Sequence, residues 1–235
     1  MSMIRLDKYL SDLGLASRKE LKQIIKSGRV SVNGLAACEP ERKLDPEKDE
    51  VALDGRPLSY RRFRYFAMDK PADVLTACED RKQKTVLDLL PAELRSLGLF
   101  PVGRLDKDTT GLLLLTNDGD FAHRVISPKY EVEKLYRAVT ETRVGAGAAE
   151  SFAAGIVLAD GLQCLPAKLE AGEGRECFVT VKEGKYHQVR RMLAAVGCPV
   201  LELRRLSIGA LRLDDDTIPG KISELSQTKI ELVFE

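Results

Sequence analysis

Apolar residues near the N-terminus recur at helical spacing. Leu6, Tyr9, Leu10 and Leu13 fall at i, i+3, i+4 and i+7, which predicts a short one-sided helix stopped at Gly14. Ser17 with Glu20 three residues later makes a capping-box signature for a second helix, which turns Leu21, Ile24 and Ile25 inward and ends at Gly28. The period then changes to two. Arg29 to Asn33 alternates toward a strand, Asn33-Gly34 is the commonest two-residue hairpin turn, and a second strand is expected near Val51 to Leu53. Between Asp54 and Arg64 the pattern lapses into Gly55, Pro57 and the string Arg61, Arg62, Arg64, the composition of a linker with some affinity for RNA. From Tyr65 onward, short apolar runs such as Tyr65 to Met68 and Leu112 to Leu115 alternate with helical stretches. The expected fold is α+β in two parts: a helix-helix-hairpin module over residues 1–58, a linker over 59–64 and a larger domain over 65–235.

Composition narrows the classes. The 235 residues suffice for one large domain with a small appended module. No apolar run approaches the roughly 20 residues that cross a bilayer, and Met1 to Leu6 lacks the apolar stretch of a secretory signal, so residence in the cytosol is expected. The five cysteines are odd in number and nowhere spaced Cys-x-x-Cys, which argues against a disulfide framework or a zinc site and leaves them as buried or incidental thiols. His123 and His187 are far apart, which disfavours a histidine-based metal centre. No coiled-coil segment is evident, and a monomer is expected.

The net charge of +1 conceals two basic blocks. Arg18, Lys22 and Lys26 recur every four residues opposite the apolar face of the second helix, with Arg5, Lys8, Lys19 and Arg29 close by in sequence. Between Lys182 and Arg212 seven Lys or Arg face only Glu183 and Glu202, which predicts a second positive surface. A stripe of this kind taken alone is most often a solvated face.

Candidate chemistry centres on a polar loop abutting a buried strand. Gly103-Arg104-Leu105-Asp106 is followed by Asp108-Thr109-Thr110-Gly111 and then by Leu112 to Leu115, so that Asp106 would sit on a loop anchored by Leu113 and Leu115. A loop Asp beside Thr and Gly is ordinarily a turn former that bonds its own backbone. Spacing alone therefore does not assign it a role.

A resemblance in that loop does, and a separate one covers the N-terminal module. Arg5-Leu6-Asp7-Lys8-Tyr9-Leu10, Ser17-Arg18 and Gly28-Arg29-Val30-Ser31-Val32-Asn33-Gly34 resemble the RNA-binding module of the small-subunit ribosomal protein S4 type. This implies that Arg5, Lys8, Arg18, Lys19, Lys22, Lys26 and Arg29 meet phosphates of structured RNA, supplying affinity without reading sequence. Gly103-Arg104-Leu105-Asp106 with Thr109-Thr110-Gly111-Leu112 is similar to the signature of the RsuA and RluB family of ribosomal RNA pseudouridine synthases. Lys134-Leu135-Tyr136, the run from Glu183 to Met192 and the closing strand Leu203-Arg204-Arg205-Leu206 extend the likeness over nearly the whole chain.

The pseudouridine synthase resemblance implies a domain built on a mixed, mainly antiparallel sheet flanked by helices. It casts Asp106 as the catalytic aspartate, Tyr136 as the residue against the target base and Arg190 as the active-site basic residue. Arg104, Lys185, His187, Gln188, Arg191 and Leu203 become substrate contacts. An isomerisation of uridine in RNA gains and loses no atoms overall and needs no redox or group-carrying cofactor and no metal. Asp106 must be ionised, whether it attacks the anomeric carbon or removes a sugar proton to form a glycal, and an ion pair with Arg190 would keep it so. Tyr186-His187-Gln188-Val189 resembles the enzymes acting on 16S rRNA rather than 23S rRNA, which implies 16S rRNA or a small-subunit assembly intermediate as the partner. One segment departs: the family's usual Asn-Lys-Pro-x-Gly reads Asp69-Lys70-Pro71-Ala72-Asp73, which puts the loop conformation at residue 73 in question. Two rivals stand: a non-catalytic RNA-binding assembly factor, and a hydrolase using Asp106 with Asp108 as paired carboxylates.

Overall fold

The structure, a computed structural model, describes residues 3–214 and 216–235. These fall into two compact units, one of the residues up to Arg64 with Leu90–Leu99, the other of Tyr65–Leu89 with Phe100–Glu235. The stretch Leu90–Leu99, which the apolar pattern leaves with the larger domain, thus clusters with the first unit. It carries a short helix, Ala92–Arg95. Gly14 (φ 71°) runs so close to this segment that a Cβ there would stand 2.8 Å from the Glu93 carbonyl oxygen, a close approach that only glycine permits.

In the first unit, helices α1 (Leu6–Asp12) and α2 (Arg18–Lys26) pack Leu6, Tyr9, Leu10, Leu21 and Ile25 against Val30, Val32 and Val51. The capping box of α2 is formed in both directions: the Ser17 hydroxyl accepts from the Glu20 N–H at 3.4 Å, and the Glu20 carboxylate accepts from the Ser17 N–H at 2.9 Å. Strands β1 (Val30–Val32), β2 (Leu35–Ala36), β3 (Val51–Leu53) and β4 (Arg56–Leu58) form an antiparallel sheet in the order β2-β1-β3-β4. Two expectations are corrected here. The strand that follows the Asn33-Gly34 turn is the two-residue Leu35–Ala36, too short and too exposed to leave an apolar pattern. The start of the supposed linker is a hairpin: Asp54 (φ 50°) and Gly55 (φ 77°) make a left-handed turn that folds Arg56–Leu58 back onto β3. Its turn residues and Pro57 have the composition of a linker, and the pairing partner is what composition does not show.

The second unit is built on one mixed sheet. Strands β5 (Tyr65–Lys70), β6 (Thr110–Thr116), β7 (Lys134–Thr140), β8 (Lys168–Ala171), β9 (Glu176–Val181), β10 (Val200–Ile208) and β11 (Ile222–Glu224) are ordered β8-β9-β7-β10-β6-β5-β11, with Phe100–Pro101 added beside β6 and Leu211–Arg212 beside β10. Among the described residues the pairing is antiparallel except between β6 and β10. Leu112 to Leu115 of β6 are all buried, so both faces of this strand are covered and the run is continuously apolar. Helices α3 (Gly119–Ile126), α4 (Ala148–Ala154) and α5 (Gln188–Ala195) cover two cores, one around Phe121, Val125 and Leu114, the other around Phe152, Met192 and Leu193. The Asp118 carboxylate caps α3 by accepting from the N–H groups of Asp120 and Phe121.

Candidate active site

The loop that carries Asp106 enters β6 at the one parallel junction of the sheet, where Arg204 lies opposite Thr110 and Arg205 opposite Gly111. Gly111 (φ 101°) is pressed against the Arg205 backbone so closely that any Cβ would overlap it. That contact, and not a turn, is the physical reason for glycine at this place in the motif.

From beneath, the loop is held by groups that sequence reasoning gave no role. Lys70, at the end of β5 and fully buried, donates to the carbonyls of Pro71 (3.0 Å), Lys107 (3.1 Å) and Thr109 (2.9 Å). The Thr76 hydroxyl donates to the Leu105 carbonyl at 2.7 Å and accepts from the Leu105 N–H at 3.2 Å. The Asp73 N–H donates to the Lys107 carbonyl at 2.9 Å, with Asp73 itself at φ 63°. The residue standing where the resemblance has glycine therefore adopts the left-handed conformation that a glycine would supply, and Asp is among the few side chains that tolerate it. Asp69 is buried and bound by both terminal nitrogens of Arg204 at 2.9 and 2.8 Å. A charge at this position is accommodated by a bidentate partner 135 residues away. Burial lowers the Lys70 pKa to about 8, opposed by the Asp108, Asp106 and Asp73 carboxylates.

Above this support Asp106 lines a cleft of about 420 Å³, part of it open solvent, with Arg104, Tyr136, Lys185, His187, Gln188 and Leu203 around it. Its side chain is 27% exposed. The Oδ1 atom lies 3.4 Å from His187 Nε2, and Oδ2 lies 3.9 Å from Arg190 Nε. The expected Asp106 to Arg190 pair is thus at contact range but long. Arg190 is nearer to Asp108 (Nη2 to Oδ2, 2.8 Å) and donates from Nη1 to the Val200 carbonyl at 3.3 Å. Neither carboxylate aligns for a hydrogen bond, so Nε and Nη2 of Arg190 are buried without a hydrogen-bond partner, as are the Thr109 hydroxyl and Nη2 of Arg205. Buried donors without a hydrogen bond are costly in a folded chain unless they have a task.

Tyr136 presents its ring from β7, and its hydroxyl accepts from Arg205 Nη1 at 3.3 Å while Arg205 Nε is fixed on the Leu112 carbonyl at 2.7 Å. Beside it on the same strand, Lys134 is buried with its ammonium on the Val132 carbonyl at 2.7 Å. Burial, with a lesser contribution from Arg205, lowers its pKa to about 8. Glu183, also without a role in the sequence reading, is the buried anchor of the cleft wall. It accepts from the Leu165 N–H and from Gln188 Nε2, and it pairs with Lys185.

The run from Lys182 to Arg212 predicts a second positive surface, but among the described residues every cation of the run except the exposed Arg212 is paired or buried. Lys182 pairs with Glu131, Lys185 with Glu183, Arg190 with Asp108, Arg191 with Asp160 and Arg204 with Asp69, and Arg205 is buried. Four of these five carboxylates come from other parts of the chain, which a local count of charge does not register. Arg191 in particular lies outside the cleft lining. Arg104, by contrast, is exposed at the rim. In the first unit Arg5 pairs with Asp7 and Glu41, Lys8 with Asp12 and Arg29 with Asp54. Arg18, Lys19, Lys22 and Lys26 are exposed and form no ion pair among the described residues.

Residues 64–195 match the RNA pseudouridylate synthase family and residues 4–51 match the S4 domain. Over 99% of its length the chain is 42% identical to a Bacillus subtilis protein named Uncharacterized RNA pseudouridine synthase YtzG, 99% of which is covered. It is 41% identical to Ribosomal small subunit pseudouridine synthase A of Vibrio cholerae (99% of this chain, all of that one) and 40% identical to that of Escherichia coli (98% and 100%). The chain belongs to the RsuA-type RNA pseudouridine synthases. A crystal structure of a pseudouridylate synthase superimposes with a TM-score of 0.68 at 33% identity, covering 98% of this chain and 99% of that one. An RNA pseudouridine synthase of this type is an isomerase, and the S4 module is an RNA-binding unit. No helix among the described residues is long and apolar enough to cross a membrane.

Proposed function

We propose that this synthase isomerises specific uridines of the small-subunit ribosomal RNA, in the cytoplasm. Asp106 is its catalytic carboxylate, Tyr136 faces the extruded base and Arg190 is the basic residue beside the carboxylate. The observation that carries this reading is the setting of Asp106: a partly exposed carboxylate on a loop clamped by Lys70 and Thr76, with Tyr136 and Thr109 lining the same cleft, His187 Nε2 at 3.4 Å and the Arg190 guanidinium at 3.9 Å.

The reaction cleaves the bond from C1′ to N1, turns the uracil and joins C1′ to C5. The C5 proton leaves to solvent and N1 regains one, so that nothing is gained or lost overall. Whether Asp106 attacks C1′ or removes the C2′ proton, the carboxylate must be ionised and held within reach of the sugar. The target base must leave its stack to arrive there, at a cost of a few kcal/mol that an aromatic face such as Tyr136 offsets. The exposed cations of α2 supply phosphate contacts for docking. The small-subunit assignment draws on the names of the Vibrio cholerae and Escherichia coli relatives and on Tyr186-His187-Gln188-Val189.

The test is tritium release from 16S transcripts carrying uridine labelled at C5. Wild-type protein is expected to release it, and Asp106→Asn to lose roughly 10³-fold or more in turnover while still binding the transcript. Undiminished turnover in the variant rejects Asp106, and release from 23S but not 16S transcripts rejects the small-subunit assignment.

A further inference from the structure

Next to the cleft, the ring of Tyr186 is 73% exposed and stacks on His187 with centroids 3.8 Å apart and planes at 19°. A single exposed aromatic on a protein surface needs no explanation. This one differs in three respects. Its stacking partner stands 3.4 Å from Asp106 and lines the cleft, so the pair forms a step leading from solvent to the carboxylate. The backbone beneath is fixed on both sides: the Lys185 N–H donates to Gln188 Oε1 at 2.9 Å, and Arg191 Nη1 donates to the Tyr186 carbonyl at 3.4 Å. Finally, His187 is held at φ 49°, a conformation that a non-glycine residue keeps only where its surroundings enforce it, commonly at functional sites.

A rigid exposed ring is what stacking on an unpaired base requires. Its outer face is free, it binds any of the four bases, and little side-chain freedom is lost on contact. Tyr136 already faces the cleft interior, where the target uracil is proposed to lie, so a second aromatic surface outside it serves a different nucleotide. We propose that the Tyr186-His187 step binds the base of the nucleotide adjacent to the target uridine, by stacking on the outer face of Tyr186. Occupied in this way, the step keeps the strand unstacked around the extruded nucleotide and places the target ribose over Asp106. Tyr186 is then a substrate-binding residue that favours targets in unpaired RNA, because a paired neighbour has no free face to offer. This inference rests on the proposed placement of the target at Asp106.

The experiment uses the full chain and a synthetic RNA spanning the uridine that the wild type modifies, with 2-aminopurine placed immediately before or after it. Binding is expected to quench the fluorophore at one of the two positions, and Tyr186→Ala to abolish that quench while Tyr186→Phe retains it. In tritium release, Tyr186→Ala is expected to raise KM about tenfold, with a smaller change in kcat and rescue by Tyr186→Phe. An unchanged thermal midpoint for Tyr186→Ala excludes misfolding as the cause. Quench at neither position, or quench that survives Tyr186→Ala, overturns the proposal. Because wild-type turnover and its loss in Asp106→Asn are read on the same RNA, failure of the step is distinguishable from failure of the Asp106 site.

Discussion

Helix α2 and the segment from Lys182 to Arg212 both carry many more Lys and Arg than acids, and the structure treats them in opposite ways. On α2 the side chains of Arg18, Lys19, Lys22 and Lys26 stand in solvent without ion pairs among the described residues. In the second unit nearly every cation of the run is joined to a carboxylate or buried under the cleft. The first arrangement leaves its charges free for phosphate and costs the fold only the mild repulsion of like charges four residues apart. The second is architectural: its guanidinium groups position strands and loops, and of them Arg190 reaches Asp106, at 3.9 Å. A basic stretch of sequence can therefore mean docking or architecture, and which of the two depends on carboxylates far away along the chain.

The comparison breaks most readily at Arg204. Its bidentate bond to Asp69 is half-buried, with Arg204 about a third exposed and Asp69 almost wholly enclosed. Arg204→Met leaves that carboxylate buried and alone, and is expected to lower stability by about 2–3 kcal/mol, below the usual figure for a fully buried pair because water still reaches one side. Replacement of any one cation on the exposed face of α2 is expected to stay within about 0.5 kcal/mol. Urea midpoints of the two kinds of variant decide the matter. Equal effects would mean that the contrast drawn between the regions is wrong.

A second effect distinguishes buried cations from exposed ones through pH. Lys134 is buried and its pKa is lowered from 10.5 to about 8. As pH rises past about 8 the native ammonium releases its proton while the unfolded chain holds its own until about 10.5. The unfolded state therefore binds more protons in this window, and stability rises with pH. The contribution is complete above 10.5 and lost as pH falls through 8, with about 3 kcal/mol as its upper bound. Lys70 has the same sign. Between pH 7.5 and 10 the wild type is expected to gain stability relative to Lys134→Met, and an opposite slope would contradict the burial of that ammonium.

The exposed region is tested by salt. Replacing Arg18, Lys22 and Lys26 together by alanine is expected to raise KM for the transcript about tenfold and to flatten the dependence of log affinity on log salt by roughly 0.7–0.9 for each phosphate no longer neutralised, with kcat preserved. The salt slope of Arg204→Met, measured on whatever fraction is folded, should match the wild type. A triple variant with an unaltered slope would show that α2 does not touch RNA.

These contrasts also mark where sequence reasoning reached and where it stopped. Helices α1 and α2 were legible because their apolar spacing and the Ser17-Glu20 box are local, and Asn33-Gly34 marked its turn for the same reason. The mixed sheet and the grouping of Asp106, Tyr136, His187 and Gln188 about one cleft follow from motif resemblance, since no periodicity connects Asp106 to residues 30 to 82 positions further on. Lys70, Thr76 and Glu183 were missed as supports. A lysine closing the apolar run Tyr65 to Met68 was the available signal, because a cation at the end of a buried strand must find acceptors. The second positive surface was misread because its partners, Asp69, Asp108, Glu131 and Asp160, are remote in sequence.

The smallest expected effect concerns the loop where the motif departs from its family. Asp73 holds φ 63°, and its N–H reaches the Lys107 carbonyl from that conformation. If the backbone geometry alone determines what residue 73 must be, Asp73→Gly relieves left-handed strain but loosens the unfolded chain, and the two nearly cancel: a change within about 0.5 kcal/mol is expected. Asp73→Val, whose branched side chain resists positive φ, should cost about 1–2 kcal/mol and reduce turnover by loosening the loop next to Asp106. The carboxylate has a further effect, since Asp73 is one of three acids that oppose the loss of charge on Lys70. Asp73→Asn keeps the tolerance for positive φ and removes the charge. If Asp73→Asn reduces turnover and Asp73→Gly does so equally, the charge beneath the loop matters more than its conformation, and the acid at this position is part of the support for Asp106 rather than a tolerated substitute for glycine.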